Sequence, residues 1–369
     1  MNVNPGHNLG VHIRKLRRAA GMSQAELADR LHVGSSALSM IEQGRNQPTL
    51  RIIESVLEIF QLTPNQLFGV DPAGAPSPPP HGELVQVDAD TARITPSVAV
   101  VVDRLIESVL ALEDLAGAPR HALTPLYVPL ELSDSGLATL ADRVRQHLRI
   151  YDGVVFDYFE LFESFGLRVL VLPLRINFTG ACFYDPRNDN AFFIINNRHT
   201  PERQLFTLAA QLGRLLLHTW ATRRGAYPAT PKKQRLDPAH AAAKFAAQFL
   251  MPPRAVQATV NQLGIQPDQW TYELLLRIKH RFGVSAEAFC YRLDDLDLIS
   301  KQIKESLRAE IKAHYQNTNY REPDDSRRIL TPNGRLWDLA LTADLHLGPD
   351  HAELKEIVRD LKRMRVVKV

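Results

Sequence analysis

From Asn8 onward the apolar residues fall in short runs at helical spacing. Val11, Ile13 and Leu16 make the first run, Leu27, Ala28 and Leu31 the second, Leu38 and Ile41 the third, and Leu50, Ile53, Val56, Leu57 and Phe60 the fourth. The boundaries carry signals of their own. Ser23-Gln-Ala-Glu26 reads as a capping box, His32–Gly34 as a turn, Gly44 as a stop, Thr49 as an N-cap and Thr63-Pro64 as the opening of a last short turn. A break follows. Residues 71–82, DPAGAPSPPPHG, hold five prolines and little to bury, which predicts an extended spacer.

Beyond the spacer, Ser97–Leu115 places Val101, Val102, Leu105, Ile106, Val109, Leu112 and Leu115 on one face and stops near Gly117. Packing on its own domain is the plainer expectation for this helix, and a dimer seam the sharper one. Helices over Leu137–Arg149 and Gly153–Phe165 precede a strand at Leu167–Leu172. Gly180–Tyr184 and Ala191–Ile195, flanking the turn-rich stretch Asp185–Asn190, predict a hairpin. Thr200-Pro201 opens a long helix, with threonine as N-cap and proline in the first turn. Further helices fit Ala239–Leu250, Pro267–Phe282 and Ala286–Leu293; then come a charged helix, a polar loop (Asn317–Ser326) and two short helices ahead of the basic tail Lys362–Lys368. The predicted class is α+β, mostly α. It comprises an all-α domain over 1–70, a Pro-rich linker over 71–96, an α+β domain over 97–300 with a small sheet and leading helices, and a helical extension over 301–369.

Composition narrows the setting. At 369 residues the chain can bury two or three cores, and 45% hydrophobic with 23% charged residues is the make-up of a soluble globular protein. Its two cysteines, Cys182 and Cys290, make neither a disulfide framework nor a four-cysteine zinc site, and suit a reducing compartment. The opening MNVNPGHNLG lacks a signal peptide's apolar stretch, and no run of about 18 apolar residues occurs. A cytoplasmic location without a membrane partner is expected. The net charge of +3 identifies no partner, so local charge must decide.

Residues 8–18 hold four cations and no acid, an electrostatic footprint for a phosphate backbone. The outward positions of the third helix are Ser35, Ser36, Ser39 and Gln43, small polar groups able to approach base edges in a major groove. Gln24, opening the second helix, is placed to meet a phosphate, and Arg45 and Asn46 follow the third helix within reach of the backbone. Arg14 and Arg17 complete the expected DNA-binding set. A pair such as Arg17/Arg18 would say little alone, since charge runs are usually solvated faces. In combination, SQAELA, the turn before SSALSMIE and the exit EQGRNQPTL resemble the Cro/repressor (XRE) helix-turn-helix family over essentially the whole first domain. The resemblance implies binding to a double-stranded DNA operator as a homodimer.

A second resemblance covers about 140–300. FGLRVLVLPLRINFTGACFYDPRNDNAFFIINNRHTPERQLFTLAAQLGRLLLH, AAAKFAAQFLMPPRAV and FGVSAEAFCYRL are similar to landmarks of the ImmA/IrrE metallopeptidases, a zincin-like α+β fold. The family's helix carries H-E-x-x-H, two histidines that bind zinc and a glutamate that serves as general base. Here the stretch reads Ala210-Gln211-Leu212-Gly213-Arg214, and where the resemblance implies a third, acidic ligand the chain reads Ala239-His240-Ala241-Ala242-Ala243. Alanine donates no lone pair, neutral glutamine takes no proton from water near neutral pH, and arginine stays protonated. At about 4 Å and an effective dielectric near 20, a guanidinium would repel a dication by about 8 kcal/mol. It could instead replace the metal's charge and join the two halves of the site. His218, matching a family histidine, is a packed residue on the plainer reading; on the sharper one it is a ligand joined by His240, Asp237 and Cys182.

The expectation is thus a DNA-binding transcriptional regulator with a pseudo-peptidase domain: no catalytic residue, no metal and no cofactor. Gln211, Arg214 and His218 would line a former active-site cleft that takes a small-molecule or protein effector. An antitoxin, a phage or mobile-element repressor, or a peptidase with other metal ligands are the alternatives.

Overall fold

The computed structural model of the chain describes residues 9–10, 13–14, 16–18, 20, 22–60, 85–86, 96–118, 132–174, 178–185, 190–224, 237–324, 326, 330–346, 355 and 359. It divides into two compact units, one of Met1–Glu83, Arg93–Gly117 and Leu339–Val369, the other of Leu84–Ala92 and Ala118–Asp338.

In the first unit, residues 9–10, 13–14 and 16–18 are helical, and α1 (Gln24–Arg30), α2 (Ser35–Glu42) and α3 (Leu50–Ile59) follow. Both arms of the capping box form: the Ser23 Oγ accepts from the Glu26 N–H at 3.1 Å, and the Glu26 carboxylate accepts from the Ser23 N–H at 2.7 Å. Ile13, Leu27, Leu31, Leu38, Ile41 and Val56 are buried together. Gly10 sits so close to α2 that a Cβ would lie 1.9 Å from the Ile41 carbonyl oxygen, and Gly44 leaves the helix at φ 68°. The expected inner face of α3 is only partly right. Val56 and Leu57 are buried, but Ile52 and Glu54 are too, while Leu50, Ile53 and Phe60 are half-buried.

Ile52 belongs to the same buried core as Leu27, Leu38 and Ile41. α4 (Pro96–Leu115) groups with this unit and packs against α3, rather than belonging to a 97–300 domain. Its Val102, Leu105, Ile106, Val109 and Leu112 are buried as the spacing predicts; periodicity reveals that a face is covered, and not by what. Thr63-Pro64 and most of the expected linker lie outside the described residues.

Among its described residues the second unit is built on a four-stranded sheet of order β1-β3-β4-β2, where β1 is Val85–Gln86, β2 Arg168–Leu172, β3 Gly180–Asp185 and β4 Asn190–Asn196. β3 and β4 form the predicted antiparallel hairpin, β4 runs parallel to β2, and β1 pairs antiparallel with β3. β1 falls in the stretch read as linker, because two residues carry no alternation to detect. β2 and β4 are buried at every position, so they read as continuous apolar runs. The helices are α5 (Asp134–His147), α6 (Tyr158–Ser164), α7 (Pro201–Arg224), α8 (Pro238–Leu250), α9 (Pro253–Leu263), α10 (Tyr272–Phe282), α11 (Ala286–Asp295), α12 (Lys301–Asn317) and α13, whose range Gly334–His346 begins here. Residues 301–338 are therefore part of this unit and not a separate extension. Among the described residues the architecture is α+β and mostly α.

Two boundaries shift for local reasons, and one helix is additional. α6 starts at Tyr158 because Asp157 caps it, accepting from the Phe159 N–H at 2.8 Å, while Arg149 and Tyr151 stand at positive φ outside any helix. α10 starts at Tyr272 because Thr271 caps it and Trp270 turns inward, its Nε1–H donating to the Leu298 carbonyl at 2.9 Å. α9 was not foreseen: Pro252-Pro253 reads as a stop, yet Pro253 takes the first helical position. Two buried arginines hold the far end of α8. Arg145 donates to the Phe249 carbonyl at 2.5 Å and Arg292 to that of Met251 at 2.9 Å, meeting carbonyls the helix leaves unpaired. The basic tail Lys362–Lys368 lies outside the described residues.

Candidate nucleic-acid interface and second-domain site

The expected DNA-reading residues lie on and around α2. Ser35, Ser36, Gln43, Arg45 and Asn46 are exposed, as is Arg14, and Ser39 is half-buried. Gln43 donates from Nε2 to the Ser39 Oγ at 3.0 Å, tying two of the outward groups together. Met40, an apolar residue, stands 39% exposed among them.

Arg17 requires correction. Its guanidinium is committed inside the domain, Nε donating to Glu42 Oε1 at 2.6 Å, Nη2 to Oε2 at 3.1 Å and Nη1 to the Met22 carbonyl at 2.8 Å. The Glu42 side chain is 2% exposed, and this pairing is the main reason the Arg17 pKa is raised. Arg17 is thus a structural partner of a buried acid and not a free cation for a phosphate. Gln24 is half-buried and also donates to Glu42, at 2.9 Å, so one of its two amide N–H groups is already used. Glu42 is the residue the sequence reading missed. The signal was there: an acid beside Ile41 on the inward side of α2 needs a partner.

In the second unit, α7 carries Ala210, Gln211, Gly213, Arg214 and His218. Gln211 is buried, and Ala210, Arg214 and His218 are half-buried. Gln211, Arg214 and His218 stand three and four positions apart, which places them along one stripe of the helix. The His218 ring meets Tyr184 of β3 edge-on at 5.9 Å, and burial holds its pKa below the ordinary histidine value. Gly213 faces α8, where a Cβ would come within 2.8 Å of Phe245 Cδ1. The sharper reading of His218 does not gather its ligands. Cys182 is fully buried in β3, and Asp237 spends Oδ1 on the N–H groups of Ala239 and His240. Among the described residues no three His, Cys, Asp or Glu side chains come together in a way that could hold a metal ion.

A buried ionic cluster beyond this stripe was also missed. Lys279 of α10 is fully buried and lies 3.2 Å from Glu322 and 3.8 Å from Glu202, which opens α7. Glu322 accepts from the Ala286 N–H and from the Tyr315 hydroxyl, each at 2.7 Å. Burial raises the pKa of Glu202. A lysine on the same stripe as Leu275, Ile278 and Phe282 was the available signal.

Comparison with known proteins agrees with both resemblances. Residues 8–67 match the family described as a helix-turn-helix domain, and residues 162–294 match the IrrE N-terminal-like domain of a peptidase family. The chain thus carries a helix-turn-helix domain and, further along, an IrrE N-terminal-like domain. No curated protein matches it. Solved structures similar to it include a Mycobacterium tuberculosis transcriptional regulator, 17% identical with a TM-score of 0.31, the match spanning 50% of this chain and 51% of the other. The apo form of the competence regulator ComR from Streptococcus vestibularis is 12% identical over 99% of this chain and 100% of its own, with a TM-score of 0.18. Bacillus thuringiensis PlcR, in complex with the peptide PapR7 and DNA, is 13% identical over 96% and 99%, with a TM-score of 0.16. Among the described residues no helix is long and apolar enough to cross a membrane.

Proposed function

We propose that this chain is a cytoplasmic regulator that binds an operator as a homodimer, and that its second domain performs no peptidase chemistry but responds to an effector. The observation that supports this reading is the residue set on α7. Ala210 and Arg214 stand where the family resemblance implies zinc-binding histidines, and Gln211 where it implies the general base. These residues do not fit zinc. A methyl group is no ligand, a guanidinium has no lone pair to give and repels the dication, and an amide is no base for a metal-bound water. The start of α8 supplies no acid either, since residues 239–243 read AHAAA.

What the stripe does offer is a cation flanked by a buried amide and a neutral imidazole. That chemistry suits an anionic or hydrogen-bonding effector. A ligand held there changes operator affinity only to the extent that it prefers one of the DNA-competent and DNA-incompetent arrangements.

The test takes purified full-length protein through selection of double-stranded DNA, then metal analysis and a cleavage assay. The expected result is an enriched two-fold repeat with half-sites about one helical turn apart, zinc well below one per chain, and no chelator-sensitive cleavage. Changing Ala210, Gln211 and Arg214 to His, Glu and His is expected not to create a peptidase, because the acid on α8 is still missing. One tightly held zinc per chain with chelator-sensitive cleavage would overturn the inactive reading. Failure to enrich any sequence would overturn operator binding.

A further inference from the structure

A half-open groove of about 550 Å³ runs along α12 between α11 and the turn that follows α12, most of its lining residues exposed. It lies within the size range of small-ligand sites, about 300–1,000 Å³. Its walls carry charges of both signs, Glu287 and Glu305 against Arg308 and Lys312, with Tyr315 and Tyr320 beside them. Glu287, Glu305 and Lys312 form no ion pair with another described residue, and Arg308 lies over the Tyr291 ring at 5.0 Å. The opposite charges are therefore left facing the groove and not spent on each other.

The aromatic wall is held in place. Tyr315 donates its hydroxyl to the buried Glu322 at 2.7 Å, which fixes the ring from behind. Tyr320 stacks on Tyr315 with centroids 6.3 Å apart and planes at 24°, yet remains 76% exposed. Its position depends on two successive residues in the left-handed region, Asn319 at φ 52° and Tyr320 at φ 60°, closed by the Tyr320 N–H donating to the Tyr315 carbonyl at 2.7 Å. Each such residue carries a conformational cost of about 1 kcal/mol or more, so the ring is presented to solvent against two local preferences. A preorganised aromatic face of this kind lowers the entropy cost of binding.

The geometry points to a site for a short peptide with free termini, its ammonium end at Glu287 and Glu305, its carboxylate at Lys312, and one side chain stacked on Tyr320. Length follows from the helix. Glu305 and Lys312 stand seven positions apart on α12, about 10 Å at a rise of about 1.5 Å per residue. An extended chain advances about 3.3–3.6 Å per residue, so about three residues bridge that span and a single amino acid falls short. This site is separate from the α7 stripe and does not depend on it.

The experiment uses saturation-transfer NMR on the full-length protein with three probe pools: tri- and tetrapeptides of random sequence with free termini, the same peptides acetylated and amidated, and the free amino acids. Signal is expected from the first pool alone. Lys312→Glu and Tyr320→Ala, both at exposed positions, are each expected to weaken the strongest binder about ten-fold, with salt weakening it further. Arg214→Ala is expected to leave it unchanged, which separates this site from the effector reading of α7. Equal signal from the blocked pool, equal signal from free amino acids, no signal from any pool, or indifference to both substitutions overturns the proposal.

Discussion

Arg17 and Glu42, 25 residues apart in the chain, meet in a two-armed ion pair in which the acid is all but fully buried. Removing one member of such a pair strands the other in a low-dielectric interior, at a cost of about 3–5 kcal/mol. Arg17→Ala is accordingly expected to lower the melting temperature of the helix-turn-helix domain and to lose DNA binding with the fold. Where folded protein survives, the slope of operator affinity against salt should match the parent. Arg14→Ala and Arg45→Ala should instead reduce that slope by about one each with melting unchanged. A stable Arg17→Ala protein with a reduced slope would return Arg17 to the phosphate-contacting set.

Ser36 and Ser39 test the reading face itself. Ser36 is exposed and Ser39 is joined to Gln43, so glutamate at either position leaves the core untouched and sets a carboxylate against bases and phosphates. Each substitution is expected to abolish sequence-specific binding in a mobility-shift titration while the circular dichroism spectrum stays the same. Specific binding at physiological salt by both variants would displace the interface from α2.

Why some of this was legible and some was not is a question of range. The capping box, the His32–Gly34 turn and Gly44 each act within a few residues, so the helix-turn-helix domain could be read from local words. The hairpin and α7 were readable for the same reason, through turn residues and Thr200-Pro201. Arg17 was misjudged because a charge is visible in sequence and its partner is not. α4 was placed in the wrong unit because an apolar stripe does not say what covers it. Lys279 shows the reverse case, a polar residue on a buried stripe that signals a partner without naming Glu202 or Glu322.

Gly213 offers a test of the contact between α7 and α8. Alanine ordinarily strengthens a helix interior by up to about 1 kcal/mol over glycine. Here its Cβ would press to 2.8 Å from the ring of Phe245, itself fully buried. Overpacking of this kind costs about 1–3 kcal/mol, so Gly213→Ala is expected to destabilise the second domain in denaturant titrations. A stabilised variant would mean that Phe245 gives way and that the contact does not limit the packing of α7 on α8.

Glu163 gives the second domain a pH dependence of unusual sign. Burial pushes its carboxyl up to about 7, against the opposing effect of the Arg335 N–H it accepts at 2.9 Å. The folded state therefore holds this proton more tightly than the unfolded chain. The stabilisation is complete below about pH 4.5, the ordinary value, and is lost as pH rises through about 7. The loss is on the order of 3 kcal/mol for a group only 7% exposed. Glu163→Gln keeps an acceptor for Arg335 and cannot ionise, so it should melt higher than the parent at pH 8 and close to it at pH 5. Glu202, raised in the same direction, leaves a residual slope in both proteins. Equal melting temperatures at pH 8 would show that Glu163 is solvated.

The side chain of Asn333 pairs with both backbone groups of Val171, its Oδ1 accepting from the N–H at 2.7 Å and its Nδ2 donating to the carbonyl at 2.9 Å. Val171 lies in β2, the last strand of the sheet, where the backbone would otherwise offer those groups to another chain. One amide thus imitates a fifth strand for the length of a single residue. At that point the sheet is closed to growth: a misfolded neighbour seeking an edge to extend finds the register already taken.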